Sequence, residues 1–145
     1  MNPVLVSVVV GLLGGVAVGV QNPLAALMGR RVGVLESAFI IHLGGTIIAG
    51  VPLALLAGGG LGRWREVPWY ALAAGGLGVI LVCSVSFVVP RIGIAPAVAL
   101  LVAAQLAVGM ALDHFGALEL ALRPVEPARL AGAGLLLAGA WLVLR

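Results

Sequence analysis

Five apolar runs follow one another along this 145-residue chain, near residues 4–28, 34–57, 68–89, 94–112 and 128–144. Each is long enough to cross a hydrocarbon core about 30 Å thick. The chain therefore reads as an all-α membrane protein, five transmembrane helices in one domain over residues 1–145, with almost no loop. An odd helix count places the two ends of such a bundle on opposite sides of the bilayer. Two copies can then be related by inversion, which is how many membrane proteins with internal pseudo-symmetry are built.

Composition agrees, because 63% hydrophobic residues with 9% charged lie far outside the range of a soluble domain. No basic stretch precedes the first apolar run, and a second follows closely, so helix one is expected to stay in the mature protein rather than act as a cleaved signal. The single cysteine, Cys83, lies inside the third run. It excludes an intrachain disulfide, a zinc cluster or an iron–sulfur centre and reads as a small packing residue.

The net charge of +3 comes from eight arginines and no lysine. Lying mostly at helix ends, they snorkel to phosphates and anchor the spans, so the expected partner is membrane lipid and no nucleic acid is implied. Arg63, Arg65, Arg123 and Arg129 fall on one side of the bilayer and Arg30, Arg31, Arg91 and Arg145 on the other. Basic residues near helix ends normally set orientation, and here they are balanced. That balance, with five spans, points to dual topology and an antiparallel homodimer of ten helices; the alternative is one orientation set by local charge position or a partner chain. Trp64, Trp69 and Tyr70 suit the headgroup level at the start of the third helix, and Trp141 the opposite belt.

Small residues mark close-packing faces. Gly11, Gly15 and Gly19 recur at four-residue spacing in helix one, Gly75, Gly76 and Gly78 open helix three, and Gly132, Gly134 and Gly139 lie in helix five. Such stripes let backbones approach closely in lipid, either within a subunit or across a dimer contact.

Polar residues inside the membrane carry the functional signal, because burying them is costly. Gln105 is the deepest amide, in helix four. Gln21 and Asn22 lie toward the end of helix one before Pro23, and Asn22 shares the face of Gly11. Both amides fit either a ligand contact or a bond between helices. His42, with Thr46 one turn on, is a titratable group in the hydrocarbon and a candidate for proton coupling; the competing reading satisfies its ring with a backbone carbonyl. Glu36 is expected to pair with Arg30 or Arg31. Asp113 and His114 end helix four, where they cap, pair or gate.

No carboxylate lies in the middle of helix one, which argues against a proton exchanger of the small multidrug resistance type. Neither a nucleophile with a base at readable spacing, nor a phosphate-binding glycine loop, nor a metal-ligand set is present. An enzyme, a cofactor and a metal are not expected.

Several segments together resemble a known family: Gln21-Asn22-Pro23-Leu24, Pro68-Trp69 leading into Gly75-Gly76-Leu77-Gly78, Pro90-Arg91-Ile92-Gly93, Ala104-Gln105-Leu106 and Asp113-His114-Phe115-Gly116. They are similar to the YdcZ-type five-helix family of the drug/metabolite transporter superfamily, with Ala104 where that family commonly has glycine. The resemblance implies a bacterial inner-membrane, multi-pass exporter of unknown small-molecule substrate, occurring as dual-topology chains, opposed pairs or fused ten-helix proteins. It carries Asn22, Gln105, Asp113 and His114 onto this chain without assigning them roles. The expected mechanism is alternating access around a central cavity between helices one to four, with Gln105, Asn22, Gln21 and Thr46 near the solute and His42, Asp113 and His114 coupling or gating. A membrane scaffold or complex subunit, and a small dual-topology channel, are the rival readings.

Overall fold

The computed structural model describes residues 2–56 and 60–145, and over these the chain is helical with no strand. Without water in hydrocarbon, only a helix satisfies the backbone of a single apolar run internally. The helices are α1 (Pro3–Val32), α2 (Val34–Leu55), a 3-10 segment (Gly60–Glu66), α3 (Trp69–Leu72), α4 (Ala74–Ile92), α5 (Ile94–Phe115) and α6 (Pro127–Val143). By length and hydropathy α1, α2, the α3–α4 pair and α5 can each cross a membrane, and the 17-residue α6 is a shorter apolar helix. At 1.5 Å per residue α6 reaches about 26 Å, the lower end of what spanning requires.

The expected boundaries move for identifiable reasons. α1 continues four residues past the apolar run, through Arg30 and Arg31, whose charges suit a helix C-terminus. It stops at Gly33, where φ is 112°. The third run is broken after Leu72, so α3 and α4 are separate helices. Residue 57, the expected end of helix two, lies outside the described residues. The sequence pattern also misses the 3-10 segment, which carries Arg63, Trp64 and Arg65; its Arg63 guanidinium bonds the Glu66 carboxylate at 2.7 Å. That bond raises the Arg63 pKa above its ordinary value.

The chain divides into two compact units, Met1–Arg91 and Ile92–Arg145. In the first, the buried residues are small or β-branched: Asn22, Ala25 and Ala26 from α1, Ser37 and Ala38 from α2, and Val82, Val85, Ser86 and Val89 from α4. Small side chains bring backbones together, which is how helices gain packing energy where lipid removes the hydrophobic drive. Two glycines make the closest approaches to the side chains of a facing helix. A Cβ on Gly29 would fall 2.7 Å from Ser86 Cβ, and one on Gly78 would fall 2.8 Å from His42 Nε2. Gly11, Gly15, Gly19, Gly132, Gly134 and Gly139, chosen on sequence spacing, have nothing within 4 Å of an added Cβ. Every residue from Asn2 to Gln21 is exposed.

Glu36 departs from expectation. Among the described residues the ion pairs are Arg63–Glu66 and Arg129–Asp113, and neither Arg30 nor Arg31 is paired. The carboxylate instead turns back over Gly33, within 2.0 Å of where a Cβ would stand. At the third position of α2 it lies on the positive end of the helix dipole, which competes with a solvated surface pair.

In the second unit, α5 and α6 pack against each other. α5 ends in a left-handed Gly116, with Ala117 N–H bonding the Leu112 carbonyl at 3.0 Å and Gly116 N–H bonding that of Asp113 at 3.3 Å. These two bonds form the glycine-terminated Schellman arrangement, which satisfies carbonyls the helix would leave open.

Candidate functional site

The segment after α5 folds back over that helix end. Arg123 N–H bonds the Asp113 carbonyl at 2.8 Å and Val125 N–H bonds His114 Nδ1 at 3.2 Å. A backbone N–H only donates, so Nδ1 is the acceptor in that bond. Phe115 stacks edge-on to the His114 ring with centroids 5.0 Å apart. This leaves the Asp113 carboxylate free to face α6, where Arg129 Nη1 stands 3.5 Å from Oδ2. Of the capping, pairing and gating alternatives at this helix end, Asp113 makes a pair, while His114 holds the returning loop.

Beside the Asp113–Arg129 pair runs a groove of about 670 Å³ between α5 and α6. α5 contributes Val102, Gln105, Gly109 and Asp113, which recur at three- and four-residue spacing on one face. α6 contributes Arg129, Gly132, Ala133 and Leu136. Gly109, Gly132 and Ala133 are what keep it open. A second cavity of about 640 Å³ continues along the same helices and shares Val102 and Leu136 with the first.

Gln105 is exposed and forms no hydrogen bond with any described residue. An amide in hydrocarbon without a partner costs on the order of several kcal/mol. Its neighbours in the groove wall are apolar, so whatever satisfies it must come from outside the unit.

In the first unit Asn22 is 8% exposed, and its amide also bonds no described residue. Among the described residues no fully buried polar side-chain atom lacks a partner, so the Asn22 amide keeps some exposure. Pro23 follows inside α1 without ending the helix, and removes the donor for the Gly19 carbonyl. Gln21 is exposed. One turn on, the Ala25 carbonyl accepts two hydroxyls, from Ser37 of α2 and Ser86 of α4, each at 3.1 Å, and these oxygens lie 3.5 Å apart. Three helices therefore meet on one buried carbonyl.

His42 is half-buried, with Nδ1 2.7 Å from the Ala38 carbonyl. A carbonyl only accepts, so Nδ1 donates to it, and Nε2 lies beside Gly78. The Thr46 hydroxyl is spent on the His42 carbonyl at 2.8 Å, one turn back in its own helix. Cys83 Sγ lies 3.8 Å from the Val34 carbonyl, a packing position.

Ser37 and Ser86 escaped the sequence reading because a serine in a run of alanine, valine and glycine resembles any other small residue. Arg129 was read only as an anchor, since its partner is 16 positions away across a loop.

Membrane-length helices with polar groups gathered in an apolar groove define a multi-pass helical membrane protein. The sequence profile of the YdcZ family, described as a putative inner membrane exporter, matches residues 6–142, and the chain belongs to that family. It is a multi-pass protein of the inner membrane. No curated protein and no solved structure matches the chain.

Proposed function

We propose that the chain exports a small solute by alternating access, as an antiparallel homodimer whose copies are related by inversion. The observation that carries this reading is Gln105, an unbonded amide in the wall of an apolar groove, in a family of inner-membrane exporters. A solute passing through the groove supplies the hydrogen bonds that hydrocarbon cannot. Asn22 is the second candidate contact, a buried residue whose amide bonds no described residue. Gln21 and Thr46 are weaker contacts, since one is exposed and the other is committed to its own helix. His42 is the candidate for proton coupling, because Nε2 has no hydrogen-bond partner among the described residues. Asp113 stands at one end of the groove and forms its gate together with His114, which holds the loop returning over that helix end. Catalysis has no part in this scheme.

The even arginine split supports insertion in both orientations. An added Cβ on Gly11, Gly15, Gly19 or Gly134 meets no described atom within 4 Å, which leaves these glycines open to a second copy, whereas Gly132 and Gly139 line the α5–α6 groove.

The test is efflux from proteoliposomes, screened over labelled neutral, zwitterionic and amphipathic solutes. For whichever solute shows saturable flux, Gln105→Leu is expected to lower that flux by at least about tenfold. Gly109→Leu should do the same by filling the groove, as nothing lies within 4 Å of an added Cβ there. Cross-linking of the dimer should be unchanged in both. Survival of flux in Gln105→Leu would refute the site assignment.

A further inference from the structure

The geometry points to a substrate class for the α5–α6 groove: a single-chain amphiphile whose head carries both a positive and a negative group. This rests on the exporter reading of the same groove and narrows it. Because the two cavities share Val102 and Leu136, they form one lane along α5 from Ile94 to Asp113. The nineteen helical rises from Ile94 to Asp113 make that lane about 28 Å long, close to the thickness of the hydrocarbon core. Both helices pack on each other, and the lane runs along their seam.

The polar groups are graded along it. Asp113 and Arg129 occupy one end. Gln105 follows about 12 Å further in. Beyond it the walls are apolar, with Val98, Leu135 and Val143. A head, a hydrogen-bonding group part-way down the chain and an apolar tail match that order.

The ion pair explains the preference for both charges. Its single contact is 3.5 Å long, against about 2.7–2.9 Å for a strong charged hydrogen bond, and both side chains are more than a third exposed. The carboxylate keeps a second oxygen and the guanidinium further donors. A zwitterionic head replaces one loose contact with two charge-assisted ones. A singly charged head separates the pair and strands one partner. In lipid the tail gains nothing from leaving water, so the tail sets orientation and the head sets selection.

Three probes test this against the full-length protein in lipid nanodiscs, with empty nanodiscs subtracted. Dodecanoyl-amidopropyl betaine carries an amide and both charges. The corresponding amidopropyl-trimethylammonium lacks the carboxylate, and dodecanoyl-aminobutyrate lacks the ammonium. Saturable binding of the betaine at least about tenfold tighter than of the other two is expected. Asp113→Asn should erase the discrimination against the anionic probe and Arg129→Gln that against the cationic one. The exchanged pair, Asp113→Arg with Arg129→Asp, should keep the zwitterion preference, which guards against single variants that fail to fold. Leu136→Trp, placed where the cavities meet, should weaken the betaine by a similar factor. Equal binding of all three probes, selectivity indifferent to these substitutions, or no saturable binding because lipid or a second copy fills the lane would each overturn the proposal. Flux separates it from the exporter reading: head-selective binding without flux removes the exporter and keeps the site, whereas flux indifferent to Asp113 and Arg129 removes the substrate class alone.

Discussion

Gly33 and Gly93 each form, alone, the joint between two consecutive helices, with φ of 112° and 90° and ψ of 153° and 168°. Those angles belong to a region that side chains other than glycine enter at about 1–3 kcal/mol. Gly93→Ala should therefore lose about that much stability, since its Cβ would meet only Pro96 Cδ at 3.7 Å. Gly33→Ala should lose more, because the Glu36 carboxylate must also move. Equilibrium unfolding of the two variants in detergent checks the order, and equal losses would remove the role given to Glu36. The joints were legible but went unread: Arg31-Val32-Gly33-Val34 and Arg91-Ile92-Gly93-Ile94 repeat one pattern. Gln105 and Asn22, by contrast, stood out, because an amide in an apolar run must be explained. The Arg129 partner of Asp113 did not, since only the fold of the intervening loop decides which cation arrives.

Among the elements, α1, α2 and α4 are tied by the Ala25 carbonyl and the hydroxyls of Ser37 and Ser86. Hydrogen bonds between membrane helices average about 0.6 kcal/mol and reach about 1.7. Ser37→Ala and Ser86→Ala should each cost an amount in that range. Their effects should not add, because both hydroxyls address one oxygen and lie 3.5 Å apart. A double-mutant cycle by unfolding measures the coupling, and strict additivity would mean the two bonds are independent. The existence of the apolar helices was plain from hydropathy. Which glycines bring them together was not: four-residue spacing singled out Gly11, Gly15 and Gly19, whereas Gly29 and Gly78 meet Ser86 and His42. Spacing identifies a face that permits approach, and only the facing helix decides whether anything approaches.

For the whole molecule the decisive property is orientation. Single cysteines near each terminus of a Cys83→Ser variant, labelled in intact cells with an impermeant reagent, should react at about half of each site if insertion is dual, as balanced arginines favour. Reaction at one terminus alone would exclude the antiparallel homodimer and direct attention to an oppositely oriented partner chain. The one-residue joint at Gly33 bears on when that choice is made. With no loop between them, α1 and α2 must enter the bilayer as a hairpin rather than in turn. Arg30 and Arg31 sit at its tip. Dragging that tip through hydrocarbon afterwards would cost about 2.5–3.5 kcal/mol for each guanidinium on the insertion scale. Joint entry of α1 and α2 would fix the orientation of each copy at that step, and equal labelling of both termini would record how evenly that early choice is divided.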